Sequence, residues 1–337
     1  MIRIALDAMG GDKAPQAVVD GAVEAARKSD SRYEIVLVGD EQKIKKALET
    51  HYFIKDLPLS VIHASQQIGM DEAPGQALRR KPDSSIAVAT QLHKEDKVDA
   101  LVSAGNTGAV MAAALFKLKT IHGVLRPTLG AFMPHESGSC FLADVGTNLD
   151  CKPVHLAQFG IMGSILVTHL MGIDRPRVGL LNVGKEPGKG GELYQKTYEL
   201  LKKSRLNFIG NVEGRDIMRG RADVILCDGF TGNVLIKFGE GLARMIAMML
   251  KRKIGGDIFG TVGHLLLRPK FRKLVKLFDY QEYGGAPLLG VKGTCIVAHG
   301  SSGSRGIRNA IREAWKMTRE NIAGHIESQI KELMHDS

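Results

Sequence analysis

Seven short segments of this sequence join glycine to small polar or charged residues, the composition that a site for an anion needs. They are Met9-Gly10-Gly11-Asp12, Ala104-Gly105-Asn106-Thr107-Gly108, Gly146-Thr147-Asn148, Val183-Gly184-Lys185-Glu186, Asn211-Val212-Glu213-Gly214, Asp228-Gly229-Phe230-Thr231-Gly232-Asn233 and His299-Gly300-Ser301-Ser302-Gly303. Glycine lets backbone N–H groups come close to a ligand, and a helix opening there adds a dipole that favours negative charge. Asn, Ser and Thr supply neutral donors that orient a phosphate without neutralising it. A single glycine after a strand is usually only a tight turn; seven such loops together point to a ligand crevice. No Gly-x-x-x-x-Gly-Lys-Ser/Thr run is present, which argues against a nucleoside triphosphatase. The first loop also lacks the Gly-x-Gly-x-x-Gly spacing of Rossmann dinucleotide binding.

The elements that must position these loops read as strands. Aliphatic and β-branched runs occur at Ile2–Ala8, Glu34–Val38, Leu59–His63, Ala100–Ser103, Phe141–Val145, Arg177–Asn182, Asn207–Gly210, Val224–Cys227 and Cys295–Ala298. Amphipathic segments such as Pro15–Lys28 and Glu192–Lys203 lie between most of them. This alternation predicts a three-layer α/β/α architecture with a mostly parallel sheet. The carboxyl ends of parallel strands lie side by side, and ligands bind just beyond them. Two regions depart from the alternation. From Gly232 to Leu277 no strand signal appears, and helical stripes (Leu242, Met245, Ile246, Met249, then Ile258, Val262, Leu265, Leu266) flank Gly255-Gly256, which predicts a helical hairpin. A second helical pattern, Ile307 through Leu333, predicts one long C-terminal helix.

Composition narrows the class. A chain of 337 residues, 44% hydrophobic, is long enough for a large core, and no linker or repeat divides it, so one domain over 1–337 is expected. The four cysteines are scattered and form no Cys-x-x-Cys pair, so a zinc site is not expected. With no signal-peptide pattern after Met1-Ile2-Arg3, they read as reduced cytoplasmic thiols. The apolar stretch Phe159–Ile173 is short for a bilayer span and reads as a buried core helix. A net charge of +10 fits an anionic substrate or acidic partner. Nucleic acid is not an expected partner, because only 5% of residues are aromatic and no stacking motif appears.

Taken together, Asp-Ala-Met-Gly-Gly-Asp (7–12), Ser-Ala-Gly-Asn-Thr-Gly-Ala (103–109), Asp-Val-Gly-Thr-Asn (144–148), Gly-Asn-Val-Glu (210–213), Asp-Gly-Phe-Thr-Gly-Asn (228–233) and Tyr-Gly-Gly-Ala (283–286) resemble the bacterial phosphate acyltransferases of phospholipid synthesis. The likeness runs from Ile2 to the final helix. It implies a fold similar to phosphotransacetylases and isopropylmalate dehydrogenases. It also implies transfer of a long-chain acyl group from acyl carrier protein thioester to inorganic phosphate, with no metal or other cofactor. The acyl-phosphate would go to a membrane acyltransferase, and the enzyme would be a homodimer. Lys185 before Glu186, and Thr147 where the family usually has alanine, depart from the pattern. The alternative is a phosphotransacetylase-like enzyme acting on short acyl-CoA.

Thioester-to-phosphate transfer needs two reactants held in line and an oxyanion stabilised. Phosphate is expected among Gly10, Gly11, Asp12, Ser103, Asn106 and Thr107, with Asn148, Thr231 and His63 as further substrate contacts. Lys189 is the first choice for a cation at the phosphate or oxyanion; a solvated loop lysine is its alternative. Asn233 and Asn148 are candidate oxyanion donors. Asp7, Asp144 and Asp228 either orient donors, take a proton or cap helices. His299, and less so His63, is a candidate acid toward the leaving thiolate. At the hairpin tip, Ile258, Phe259, Val262 and Leu265 sit among basic residues and are expected to meet an anionic membrane, giving a cytoplasmic protein held peripherally at the cell membrane. Docking of the carrier protein or burial in a dimer are the competing readings of that tip.

Overall fold

The computed structural model describes residues 1–254, 280–330 and 332. Its eleven strands are β1 (Ile2–Asp7), β2 (Tyr33–Gly39), β3 (Leu59–His63), β4 (Ala100–Ser103), β5 (Thr128–His135), β6 (Gly138–Ala143), β7 (Arg177–Leu181), β8 (Asn207–Val212), β9 (Val224–Leu226), β10 (Ala286–Leu289) and β11 (Thr294–Val297). They form one sheet in the order β3-β2-β1-β4-β11-β10-β5-β6-β9-β7-β8. The nine strand segments read from the sequence are all present. Two strands escaped it, β5 and β10.

Those two strands change the architecture. The wing β3-β2-β1-β4-β11 is parallel throughout, and so is the wing β6-β9-β7-β8. Between them the pairs β11–β10, β10–β5 and β5–β6 are antiparallel, so the two wings run in opposite directions. The expectation that all carboxyl ends lie side by side in one direction is therefore corrected. Register restores the convergence. Val297 pairs with Ala286; two residues along β10, Leu288 pairs with Leu129; one residue forward along β5, Gly130 pairs with Ala143. The end of β6 thus lies one residue from the level at which β11 ends, or about 3 Å. The wings meet head to head, and their glycine loops face a common cleft.

The helices are α1 (Gln16–Arg27), α2 (Glu41–Leu48), α3 (Pro74–Arg80), α4 (Ser85–Lys94), α5 (Thr107–Ala113), α6 (Pro153–Met171), α7 (Glu192–Lys203), α8 (Gly214–Met218), α9 (Gly229–Ile254), α10 (Tyr280–Tyr283), α11 (Ser304–Arg319) and α12 (Ile322–Gln329). Alternate side chains of each strand enter two separate cores. Ile4, Leu6, Ile35 and Leu37 pack with α1 and α11 in the core that α6 extends under the second wing, whereas Ala5, Val36, Val38 and Leu101 share the other core with α4 and α5. Both faces of the sheet are thereby covered, which is why its strands read as nearly continuous apolar runs.

Helix α6 is long and apolar enough to cross a bilayer, yet His155 through Val167 are buried within the fold, so it is the core helix that Phe159–Ile173 predicted. The C-terminal helix is not continuous. Asn321 sits at φ 47°, a left-handed conformation that ends α11 and starts α12. The first arm of the expected hairpin is α9. Its turn and tip, with Ile258, Phe259, Val262 and Leu265, lie outside the described residues.

Candidate active site

Three loops of the first wing are in backbone contact. A Cβ on Gly10 would stand 2.5 Å from Asp7 Oδ2 and 2.6 Å from Gly105 N, so the β1 and β4 loops touch only because that residue is glycine. Gly300 O accepts the Asp12 N–H at 2.8 Å, which ties the β11 loop to the β1 loop. Under this seam lies fully buried Asp7. Its carboxylate accepts from Ser103 Oγ at 2.6 Å and from Met9 N at 3.1 Å, and Ser103 Oγ accepts from Gly105 N at 3.0 Å. Burial pushes the Asp7 carboxyl above its ordinary pKa despite these bonds. Asp7 and Ser103 shape the loop from beneath and do not face the cleft.

Asn106 is likewise occupied. Its Oδ1 caps α5 through Ala109 N, and its Nδ2 donates to Gly69 O, Met70 O and Glu72 O. The Gly10 N–H is turned inward to Asp7 O at 3.4 Å, which leaves the cleft with the backbone of Gly11 and of Thr107, whose N–H opens α5 and has no acceptor within the helix. Asp12 is exposed at the rim. His63 is not brought to this place: it ends β3, at the outer edge of the sheet, and its Nδ1 accepts from Glu41 N at 3.3 Å.

The second wing has a matching framework. Buried Asp144 accepts from Gly146 N at 2.9 Å, Thr147 N at 2.8 Å, Asn148 N at 3.0 Å and Asn148 Nδ2. Desolvation raises its pKa, and these four donors oppose the rise. Asn148 spends its remaining amide hydrogen on Pro127 O, so its side chain is structural and cannot serve as an oxyanion donor. Thr147 Oγ1 accepts from Leu129 N at 3.1 Å, a bond that alanine could not make. Lys185, the other departure, pairs with buried Asp216 at 3.4 Å.

Asp228 caps the start of α9, taking Thr231 N at 2.9 Å and Thr231 Oγ1 at 2.7 Å. It also accepts the hydroxyl of Tyr194 on α7. Burial works to raise this carboxyl, but the Tyr194 and Thr231 bonds outweigh it and hold it below the usual range. Tyr194 was not visible as a site residue in the sequence, because nothing in a helical tyrosine announces a partner thirty-four positions away.

Two expected residues remain available to a ligand. Asn233 is exposed on α9, and its Nδ2 lies 2.7 Å from where a Cβ on Gly146 would be. Lys189 is exposed in the loop 183–190, which Asn182 Nδ2 braces through Lys189 O at 3.0 Å and Asn211 Nδ2 through Glu186 O at 2.8 Å. Neither side chain has a hydrogen-bond or ionic partner among the described residues. His299 differs. Its Nε2 is 3.0 Å from Lys237 Nζ, and an ammonium has only hydrogens to offer, so Nε2 is the acceptor and has no proton to give. Burial, then the Lys237 charge, hold its pKa below the ordinary histidine value. This geometry does not support His299 as the acid. The thiols are no better placed to react: burial drives Cys151 to about 11 and Cys140 to about 12.

The model of the family described as "Fatty acid synthesis protein" matches residues 2–325. A phosphate acyltransferase of Syntrophotalea carbinolica is 47% identical over 98% of this chain and 93% of its own length. One from Geobacter sulfurreducens is 45% identical over 95% of this chain and 92% of its own. Among solved structures, a phosphotransacetylase from Streptococcus pyogenes superposes with a TM-score of 0.63 at 17% identity, over 95% of this chain and 94% of that one. A branched-chain phosphotransacylase from Enterococcus faecalis gives 0.56 at 12% identity, over 94% and 99%. At such identities these structures speak to the fold alone.

Proposed function

The chain belongs to the phosphate acyltransferases of the fatty acid synthesis protein family, and from that premise we propose that it moves a long-chain acyl group from an acyl carrier protein thioester to inorganic phosphate in the head-to-head cleft. The observation that carries this reading is the division of labour between the wings. Glycine loops in backbone contact lie on one side, and Lys189 and Asn233, without a side-chain partner among the described residues, belong to the other.

Phosphate enters at the seam of Gly10, Gly11 and Thr107, where the N–H groups of Gly11 and Thr107 can meet it. The thioester carbonyl lies toward Lys189 and Asn233, whose free hydrogens suit an oxygen that gains charge. A phosphate oxygen bonds to the carbonyl carbon, the carbon–sulfur bond breaks, and the thiolate leaves. Hydrogen phosphate itself brings the proton that the thiolate takes up, so the step balances without a side-chain acid. Asp7 and Asp144 act by holding the two loops in shape, and Asp228 by fixing the start of α9 under Asn233.

Val183 and Leu149, 81% and 71% exposed on the second wing's loops, and Phe230, 65% exposed in the first turn of α9, favour a long acyl chain over a short one. The net charge of +10 favours an acidic carrier as donor. The reading includes a cytoplasmic homodimer at the inner membrane surface, handing acyl-phosphate to a membrane acyltransferase. Leu242, Met245, Ile246 and Met249, between 37% and 53% exposed along α9, are apolar surface for such a pairing.

The test compares donors at fixed phosphate. Palmitoyl carrier protein should give a kcat/KM at least about 10-fold above palmitoyl-CoA and roughly 100-fold above acetyl-CoA, differences of about 1.4 and 2.7 kcal/mol. Equal or better use of acetyl-CoA would replace this reading with the short-chain one.

A further inference from the structure

Lys237, which carried no role in the sequence reading, connects the two wings. It stands four residues after Asn233 on α9, so the two side chains share one helix face about 6 Å apart. Asn233 lies over Gly146 at the end of β6. Lys237 Nζ reaches His299 Nε2, beyond β11, at 3.0 Å, and Glu240 Oε2 at 3.2 Å. An ammonium has three hydrogens. His299 and Glu240 take two, and the side chain remains 51% exposed.

The imidazole is held for this contact. With Nε2 accepting, Nδ1 keeps its hydrogen and donates to Ser301 Oγ at 2.8 Å. Ser301 N also stands 3.2 Å from Nδ1, so both polar atoms of that residue hold the ring. His299 adjoins Gly300, whose carbonyl joins the β11 loop to Asp12. Lys237 therefore stands beside the same glycine seam. Charges that act on His299 include Lys237, Glu240 and Arg244 of α9, and Asp12 of the β1 loop.

We propose that Lys237 is a second phosphate-binding cation of the cleft, its third N–H holding a phosphate oxygen while His299 fixes the ammonium in place. This inference rests on the reading above that phosphate occupies the seam. Lys237 touches substrate, and His299 is a positioning residue. The bond-making step is unchanged: Lys237 neutralises charge and transfers no proton.

Steady-state kinetics of Lys237→Met test it. KM for inorganic phosphate should rise about 10- to 100-fold, the loss of one charge-assisted hydrogen bond. KM for the acyl thioester should stay within about 2-fold. In the wild type, protonation of His299 removes the acceptor that holds Lys237, so KM for phosphate should rise on acidification, and that acid limb should disappear in this variant. Lys237→Arg should recover most of the phosphate affinity. Calorimetric titration of inorganic phosphate into folded Lys237→Gln gives a second reading, in which binding should weaken by the same factor. An unchanged phosphate KM, or wild-type phosphate binding by Lys237→Gln, overturns the proposal. A wild-type enzyme that ignores phosphate would instead refute the function on which it rests, and that control is read before any variant.

Discussion

A Cβ added to Gly146 would come within 2.7 Å of the amide nitrogen of Asn233, and Gly146 itself sits at φ +136°, where a side chain is strained in any case. The glycine gives the amide its position above the end of β6. Asn233→Ala should lower kcat by roughly 100-fold with folding intact, the loss typical of one oxyanion donor. Gly146→Ala should lower kcat by at least about 10-fold, and the double variant should be no slower than Asn233→Ala alone. Additive losses would show that Gly146 acts by some route other than Asn233.

Lys189→Ala should cost about 100-fold in kcat, since its ammonium, without a partner among the described residues, is the cation assigned to the carbonyl side. Near-wild-type turnover would return it to the status of a solvated loop residue.

Gly10→Ala tests the seam. The nearest atoms to its new methyl, at 2.5 and 2.6 Å, include the backbone nitrogen of Gly105, which cannot rotate away. The β1 and β4 loops must separate, so stability should fall by about 1 to 3 kcal/mol. KM for phosphate should rise, measured on the fraction that remains folded by circular dichroism.

Much of this was legible in the sequence, and what was missed has a physical cause. The loops after β1, β4, β6, β9 and β11 were located because a glycine-polar run after an aliphatic run is a local signal. The central strands were not. β5 contains Gly130 and Pro134, and β10 contains Pro287 in four residues, so both look like breakers. Gly130 is there because the Phe141 ring occupies the space of its side chain, a fact of tertiary packing. Without β5 and β10, nothing in the sequence could reveal that the wings oppose each other. Residue roles suffered similarly. Asp7, Asp144, Ser103, Asn106, Asn148 and Thr231 are polar residues at strand ends, as ligand contacts are, and only their saturated bonds mark them as framework. Lys237 is one of many helical lysines until the fold brings His299 to it.

Tyr194→Phe removes the hydroxyl donor to Asp228 while keeping the ring. Stability should drop by about 1 kcal/mol. Because Tyr194 joins the helix that follows the Lys189 loop to the start of α9, kcat should fall several-fold, and the loss should shrink in a Lys189→Ala background, by double-mutant analysis of kcat. Full activity in Tyr194→Phe would detach that bond from catalysis.

Asp223 fixes the pH dependence of stability near acid. Arg177 gives it three bonds, at 2.7, 2.8 and 3.0 Å. Burial opposes ionisation, yet these bonds keep the carboxyl below its ordinary pKa of 3.8. A depressed carboxylate stabilises the fold above the unfolded value, and that stability is lost as pH falls through the lower folded value. Arg177→Gln should therefore lose about 1 to 2 kcal/mol at pH 7, the partly exposed guanidinium limiting the figure. In urea unfolding the gap from wild type should narrow below about pH 4.

The central claim is that phosphate itself attacks the thioester in a ternary complex. Rapid quenching of enzyme mixed with palmitoyl carrier protein, with thiol release and intact protein mass followed together, tests this most directly. Without phosphate, no free thiol should appear and the enzyme mass should not change; with phosphate, thiol and acyl-phosphate should appear in equal amounts from the first turnover. A stoichiometric burst of thiol without phosphate, leaving an acyl group on the enzyme, would contradict the account.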